Sequence, residues 1–278
     1  MKKITKKILL FSLVFLVGCS TTNFIYNRID FLFPWYIESY VDLNQEQRQN
    51  LNELLEPFFK WHREEELPKY AEIIGDLESI LDERIELDSI EAITYDVEQA
   101  WFRIEDRMLL WAIPMARDLS EDQIVEFLQT MQTKTLQSEN KYLSRNLQMY
   151  QNDNYKRLRK NLRRFIGGMN KDQLDLINAA SKEMIRVDGQ WINNRKALIE
   201  NLRLIMKKED GWELALKNIT HRDDLVANNY RKTYSHNIDV TQRLFVEILN
   251  SRTEKQDKKL RAQLSRYRND IEALIKDI

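Results

Sequence analysis

The sequence predicts an all-α fold, an elongated helical bundle of about seven or eight amphipathic helices with no sheet. Three observations carry that expectation. Helix breakers are scarce, with four Pro and six Gly in 278 residues. Apolar residues recur at intervals of three and four along most of the chain, the period at which side chains share one face of a helix. No run alternates apolar and polar residues as a half-buried strand would.

Each helix follows from that period. Ile90, Ile93, Val97, Ala100, Ile104, Met108 and Trp111 form one stripe, and Ile177, Met184, Trp191, Leu198 and Ile205 form another at heptad spacing. Val226, Tyr230, Tyr234, Ile238, Thr241, Phe245 and Ile248 make a third, and Leu260, Leu264, Tyr267, Ile271, Leu274 and Ile278 a fourth. The spacing predicts helices over 44–66, 69–86, 89–117, 120–165, 170–208, 212–219, 222–250 and 253–277. Pro57 is expected to kink the first, since it offers no N–H to the carbonyl four residues back. Pro68 is expected to start the second after a break, and Gly167-Gly168 to stop the long fourth helix. No linker rich in Ser, Gly or Pro interrupts residues 44–278, which read as a single helical domain.

The first 43 residues read differently. Lys2, Lys3, Lys6 and Lys7 precede an apolar run, Ile8 to Val17, broken only by Ser12. That run is shorter than the roughly 20 residues a membrane-spanning helix needs and has the layout of a secretory signal. It ends in Leu16-Val17-Gly18-Cys19, which resembles the bacterial lipobox, where small residues precede a cysteine that is acylated before cleavage. The expectation is a signal peptide over 1–18 and a lipidated Cys19 that carries several fatty-acyl chains (palmitate among them) and makes membrane lipid its partner. Ser20, rather than Asp, follows the cysteine, which by the same resemblance favours the outer membrane, with the domain facing the periplasm. Loss of residues 1–18 leaves 39 bases against 44 acids, a net side-chain charge of −5, so no globally basic nucleic-acid binder is expected. Within 19–43, Phe24, Tyr26, Phe31, Phe33, Trp35 and Tyr36 make an aromatic segment that either lies at the membrane interface or packs on the bundle. Packing is the favoured reading, because aromatic side chains are the commonest large core contributors.

A short box recurs. Leu43-Asn44-Gln45-Glu46-Gln47, Leu119-Ser120-Glu121-Asp122-Gln123 and Met169-Asn170-Lys171-Asp172-Gln173 each stand before an amphipathic helix, and Thr253-Glu254-Lys255-Gln256 is a weaker fourth copy. The physics is a capping box: the first polar side chain accepts from the amide three residues on, and the Gln there reaches back. The helix caps are thus expected to be Asn44 with Gln47, Ser120 with Gln123, and Asn170 with Gln173. The boxes resemble the Leu-Thr-x-x-Gln motif of Spy-type periplasmic chaperones, which are much shorter helical proteins. Tyr26-Asn27, Trp35, Tyr40-Val41-Asp42-Leu43, Gln47-Arg48 and above all Trp61-His62-Arg63-Glu64-Glu65-Glu66-Leu67-Pro68-Lys69-Tyr70 are similar to an uncharacterised Gram-negative lipoprotein family. That resemblance implies the address and a helical fold, and no activity. Asn44 and Asn170 stand where the family boxes carry Thr or Ser, an exchange that capping tolerates.

Two segments are candidates for chemistry. His62 continues the stripe of Leu51, Leu55 and Phe58, with Glu65 and Glu66 three and four residues on, so Trp61, His62, Arg63, Glu66 and Tyr70 form a candidate binding surface around a helix break at Pro68. No second His is near and no His-Glu-x-x-His pattern occurs, so an ordinary ion pair is favoured over a metal site. Lys156, Arg157, Arg159, Lys160, Arg163 and Arg164 crowd the end of the fourth helix; Lys156, Arg157, Lys160 and Arg164 head a candidate anion patch, against the reading that they only satisfy the helix dipole. No nucleophile elbow, phosphate-cradling Gly loop or catalytic Cys appears, and no catalytic residue, cofactor or metal is assigned. The functional expectation is a non-enzymatic envelope lipoprotein that binds a protein or a cell-wall polymer, with a chaperone-like role as its sharper form. The rivals are a lipid-tethered hydrolase or metal-dependent enzyme, and a structural subunit of an envelope assembly.

Overall fold

The computed structural model describes residues 26–219 and 228–276, and every element among them is helical. Cys19 and the signal segment, Phe24, His221, Val226 and Ile278 lie outside the described residues. Among the described residues there are eleven α-helices, more than the sequence predicted: α1 (Ile29–Glu38), α2 (Gln45–Trp61), α3 (Leu67–Ser79), α4 (Leu87–Asp118), α5 (Glu121–Leu143), α6 (Leu147–Ile166), α7 (Lys171–Glu183), α8 (Asp188–Ile205), α9 (Trp212–Lys217), α10 (Asn228–Asn250) and α11 (Glu254–Lys276).

Of the three beyond eight, one is α1 in the aromatic entry segment, and two come from breaks that carry no Pro or Gly. The expected 120–165 helix is two, α5 and α6, because Asn146 caps a new start: its side chain accepts from the Met149 amide at 2.8 Å. Arg145 holds the break, reaching Asp153 at 2.7 Å and Asp188 at 2.8 Å. The expected 170–208 helix is also two, and the gap at 184–187 resets its phase. Ile177 and Met184 are buried as the heptad demands, but beyond the gap Ile192, Ile199 and Met206 face inward, one residue past Trp191, Leu198 and Ile205. In α10 the inner face is Thr233, Val240, Leu244 and Ile248, while Tyr234 and Phe245 of the predicted stripe are exposed. Two apolar stripes interleave on that helix, and packing against α4 and α7 selects the one with the smaller side chains. The α11 stripe from Leu260 to Leu274 is buried throughout.

Three apolar clusters are strung along α4, which at 1.5 Å per residue is about 48 Å long. The largest joins α3, α6, α7, α10 and α11 with the N-terminal part of α4 and with Tyr26. A second joins the end of α4 to α5, α8 and α9, and a third joins that end to Leu51 and Leu55 of α2 and to Val41 and Leu43. The aromatic segment divides between its two readings. It forms α1, whose Phe33 packs edge-on against Phe59 and Trp111, while Phe31 and Trp35 remain 73% and 53% exposed.

The boxes do more than cap. In all four, the first polar residue (Asn44, Ser120, Asn170 or Thr253) accepts from the amide three on, and the Gln oxygen accepts from that residue's backbone N–H. The four glutamines then pair. Gln47 Nε2 donates to Gln123 Oε1 at 2.9 Å and Gln123 Nε2 donates back at 2.7 Å. The second hydrogen of each amide goes to a carbonyl just ahead of the partner box, Asp118 O and Asp42 O. Gln173 and Gln256 repeat the arrangement at 3.0 and 2.8 Å, with Ser251 O and Gly168 O as the carbonyls. Each amide thereby uses both donors and both acceptor positions. The two clasps join the start of α2 to that of α5, and the start of α7 to that of α11.

Candidate functional site

Helix α2 ends at Trp61 with no break before Pro68. The chain passes through one π-helical turn, His62–Glu66, and continues into α3. The Leu67 N–H bonds back to His62 O, five residues earlier. Proline explains the wider turn: in α geometry its ring crowds the carbonyl four residues back, and one extra residue relieves that contact. The same residue slips the inward face, so Glu66 ends the α2 stripe and Leu67 begins the next, both with no measurable exposure. The predicted start of a second helix at Pro68 after a break is therefore corrected to a continuous helix with a bulge.

The bulge drives polar groups into the core. His62 is 7% exposed, ringed by Tyr26, Phe58, Trp61 and Tyr70, with the Tyr26 hydroxyl 2.8 Å from Nδ1. Arg63 also hydrogen-bonds that hydroxyl. Burial pushes the His62 pKa down to about 4, against the pull of Glu66, so the ring is neutral at pH 7. Burial raises Tyr26 to about 12 and raises Tyr70 further. Glu66 is gripped by Arg103 of α4: Nε donates to both carboxylate oxygens at 3.1 and 2.9 Å and Nη2 to Oε1 at 2.6 Å, with Lys69 3.5 Å away. This fork is the strong form of an ion pair.

Of the five residues expected to form a binding surface, four are buried: Trp61, His62, Glu66 and Tyr70. Arg63 stays at the surface, beside the exposed Glu64 and Glu65. Sequence reasoning missed Tyr26 as the partner of His62 and Arg103 as the partner of Glu66. Arg103 left one signal, a cation one residue before Ile104 on the inward stripe of α4. Among the described residues no cluster of three or more His, Cys, Asp or Glu is placed to hold a metal ion. The anion-patch residues all lie on α6, with Lys156, Arg157 and Lys160 exposed and Arg164 half-buried.

The neutral His62 makes stability depend on pH. An unfolded chain takes up this proton near pH 6.5 and the folded one only near pH 4, so the contribution is complete above pH 6.5 and is lost as pH falls towards 4. The loss amounts to about 3 kcal/mol. Urea unfolding between pH 7 and 4 is expected to lose that slope in His62→Gln; a variant as pH-sensitive as the native chain would refute the assignment.

The fold and this site define an all-helical protein whose helices are stapled by buried polar groups. Residues 39–231, more than half of the chain, match a family described as "Family of unknown function (DUF6279)", and the chain belongs to that family. The match takes in three of the four boxes, the π turn and the basic helix. No curated protein and no solved structure matches the chain.

Proposed function

We propose that the protein is a lipid-anchored, periplasm-facing protein of the outer membrane that acts by binding, through its helical surfaces, and not by catalysis. The observation that carries this reading is the two-sided helix α1, which begins ten residues after Cys19. Its Phe33 fastens it to the domain, while Phe31 and Trp35 present aromatic area outward. Aromatic rings of this kind sit well at a lipid headgroup boundary. No helix among the described residues is long and apolar enough to cross a membrane, so Cys19 is the proposed means of attachment.

The enzymatic alternative loses its best candidate. His62 is neutral, buried and hydrogen-bonded to Tyr26, and Glu66 is spent on Arg103. The chaperone-like form rests on the boxes, and capping and clasping already account for their glutamines, so the broader binding role is preferred. Metabolic labelling with a fatty-acid analogue is expected to mark the native chain and leave Cys19→Ser unlabelled. Equal labelling of both would overturn the anchor. Co-purification from detergent-solubilised envelopes would then identify what binds.

A further inference from the structure

Among the described residues, three arginine side chains meet no carboxylate, carbonyl or aromatic ring: Arg159, Arg163 and Arg164, all on α6. Every other described arginine is engaged. Lys156, Lys160 and Lys259 likewise have no ion-pair partner, and Arg157 reaches only the Asn154 side chain, at 2.9 Å. The one acid of α6, Asp153, is taken by Arg145. The helix thus carries a net charge of +5 in a domain that is acidic as a whole. Its inner face, Tyr150, Asn154, Leu158, Leu162 and Ile166, is buried, so the cations share the outer one. They span about 12 Å from Lys156 to Arg164 at 1.5 Å per residue. Lys259 of α11 extends the band past the helix end, its Cδ 3.1 Å from where a Cβ on Gly167 would stand.

Helix-dipole compensation does not account for this. Arg163 and Arg164 lie in the last turn, but Lys156, Arg157, Arg159 and Lys160 lie in the turns before it, where the dipole effect has faded. Guanidinium forks match phosphate oxygens two at a time. A convex helical face meets a plane of such groups better than one small anion. A short tether keeps the domain at the lipid leaflet. Tyr26 is where the described chain begins. The seven residues from Cys19 to Tyr26 reach at most about 25 Å.

Resting on the anchored reading above, we infer that the outer face of α6 lies on anionic phospholipid headgroups and orients the tethered domain on the leaflet. The test uses the full lipidated chain on vesicles of phosphatidylcholine alone or mixed with phosphatidylglycerol, with amine acetylation of individual lysines read by mass spectrometry. Relative to Lys196 on α8, Lys156 and Lys160 are expected to react about fivefold more slowly on the anionic vesicles than on the neutral ones. About 0.5 M salt, which shortens electrostatic reach to a few ångströms, should abolish the protection. Arg159→Gln/Arg163→Gln/Arg164→Gln should abolish it too, with flotation unchanged. Equal reaction on both vesicles, with the chain still floating, overturns this inference alone. Protection by a soluble polyphosphate but not by anionic lipid would overturn it in favour of a polymer partner. Failure to float with neutral vesicles would sink the anchor and this inference together.

Discussion

Replacing Arg103 with Ala is expected to destabilise the protein by about 3–5 kcal/mol, the range for stranding one partner of a buried ion pair. Glu66 has no measurable exposure, and three of its close hydrogen bonds come from that one guanidinium. Lys69 remains at 3.5 Å, but its side chain is 42% exposed and cannot replace a two-point fork. The cost is therefore desolvation of a carboxylate rather than loss of an attraction. A double variant separates these. Removing both charges with Glu66→Leu/Arg103→Met should recover most of the loss, because an apolar pair of similar volume is often as stable as a buried salt bridge. Urea midpoints of the three chains at pH 7 decide the matter: a double variant no better than Arg103→Ala would show that Arg103 acts through packing instead.

Local features were legible in the sequence, and features that depend on meeting a distant partner were not. The caps at Asn44, Ser120 and Asn170 could be read because donor and acceptor lie three residues apart. The pairing of Gln47 with Gln123, and of Gln173 with Gln256, joins residues 76 and 83 positions apart, and nothing in a five-residue box announces it. His62 was placed inward by the α2 stripe, yet its burial is set by Tyr26, whose strand of sequence gave no sign of folding back. The break at Asn146 hid because Arg145 and Asn146, which stabilise it, are tolerated within helices. The phase slip after Met184 followed from a second hidden break. The π turn did leave a trace: Glu66 and Leu67 are adjacent, each belongs to an inward stripe, and a regular α-helix turns such neighbours about 100° apart.

Gln173→Glu is the sharpest test of the clasp, because capping and clasping predict opposite results. In a capping box Glu is as good as Gln at this position, and near a helix N-terminus its charge is favourable. Capping alone therefore predicts little change or a small gain. The clasp predicts a large loss. Gln173 has no measurable exposure, and its amide hydrogens go to Gln256 Oε1 at 3.0 Å and Ser251 O at 3.2 Å. A carboxylate keeps the acceptor side, facing the Asn170 amide and Gln256 Nε2, but turns a second oxygen on two acceptors in a dry site. The expected cost is about 3–5 kcal/mol at neutral pH, the range for an unpaired buried charge. Gln173→Ala removes the same bonds without adding charge, and should cost less, about 1–3 kcal/mol for the groups left unsatisfied. The order is what matters. Denaturant unfolding should place Glu below Ala at pH 7 and bring the two closer at pH 5, where a protonated carboxyl regains one donor. If Glu proves as stable as Gln, the boxes are caps and nothing more, and the joint between α7 and α11 rests on its apolar contacts alone.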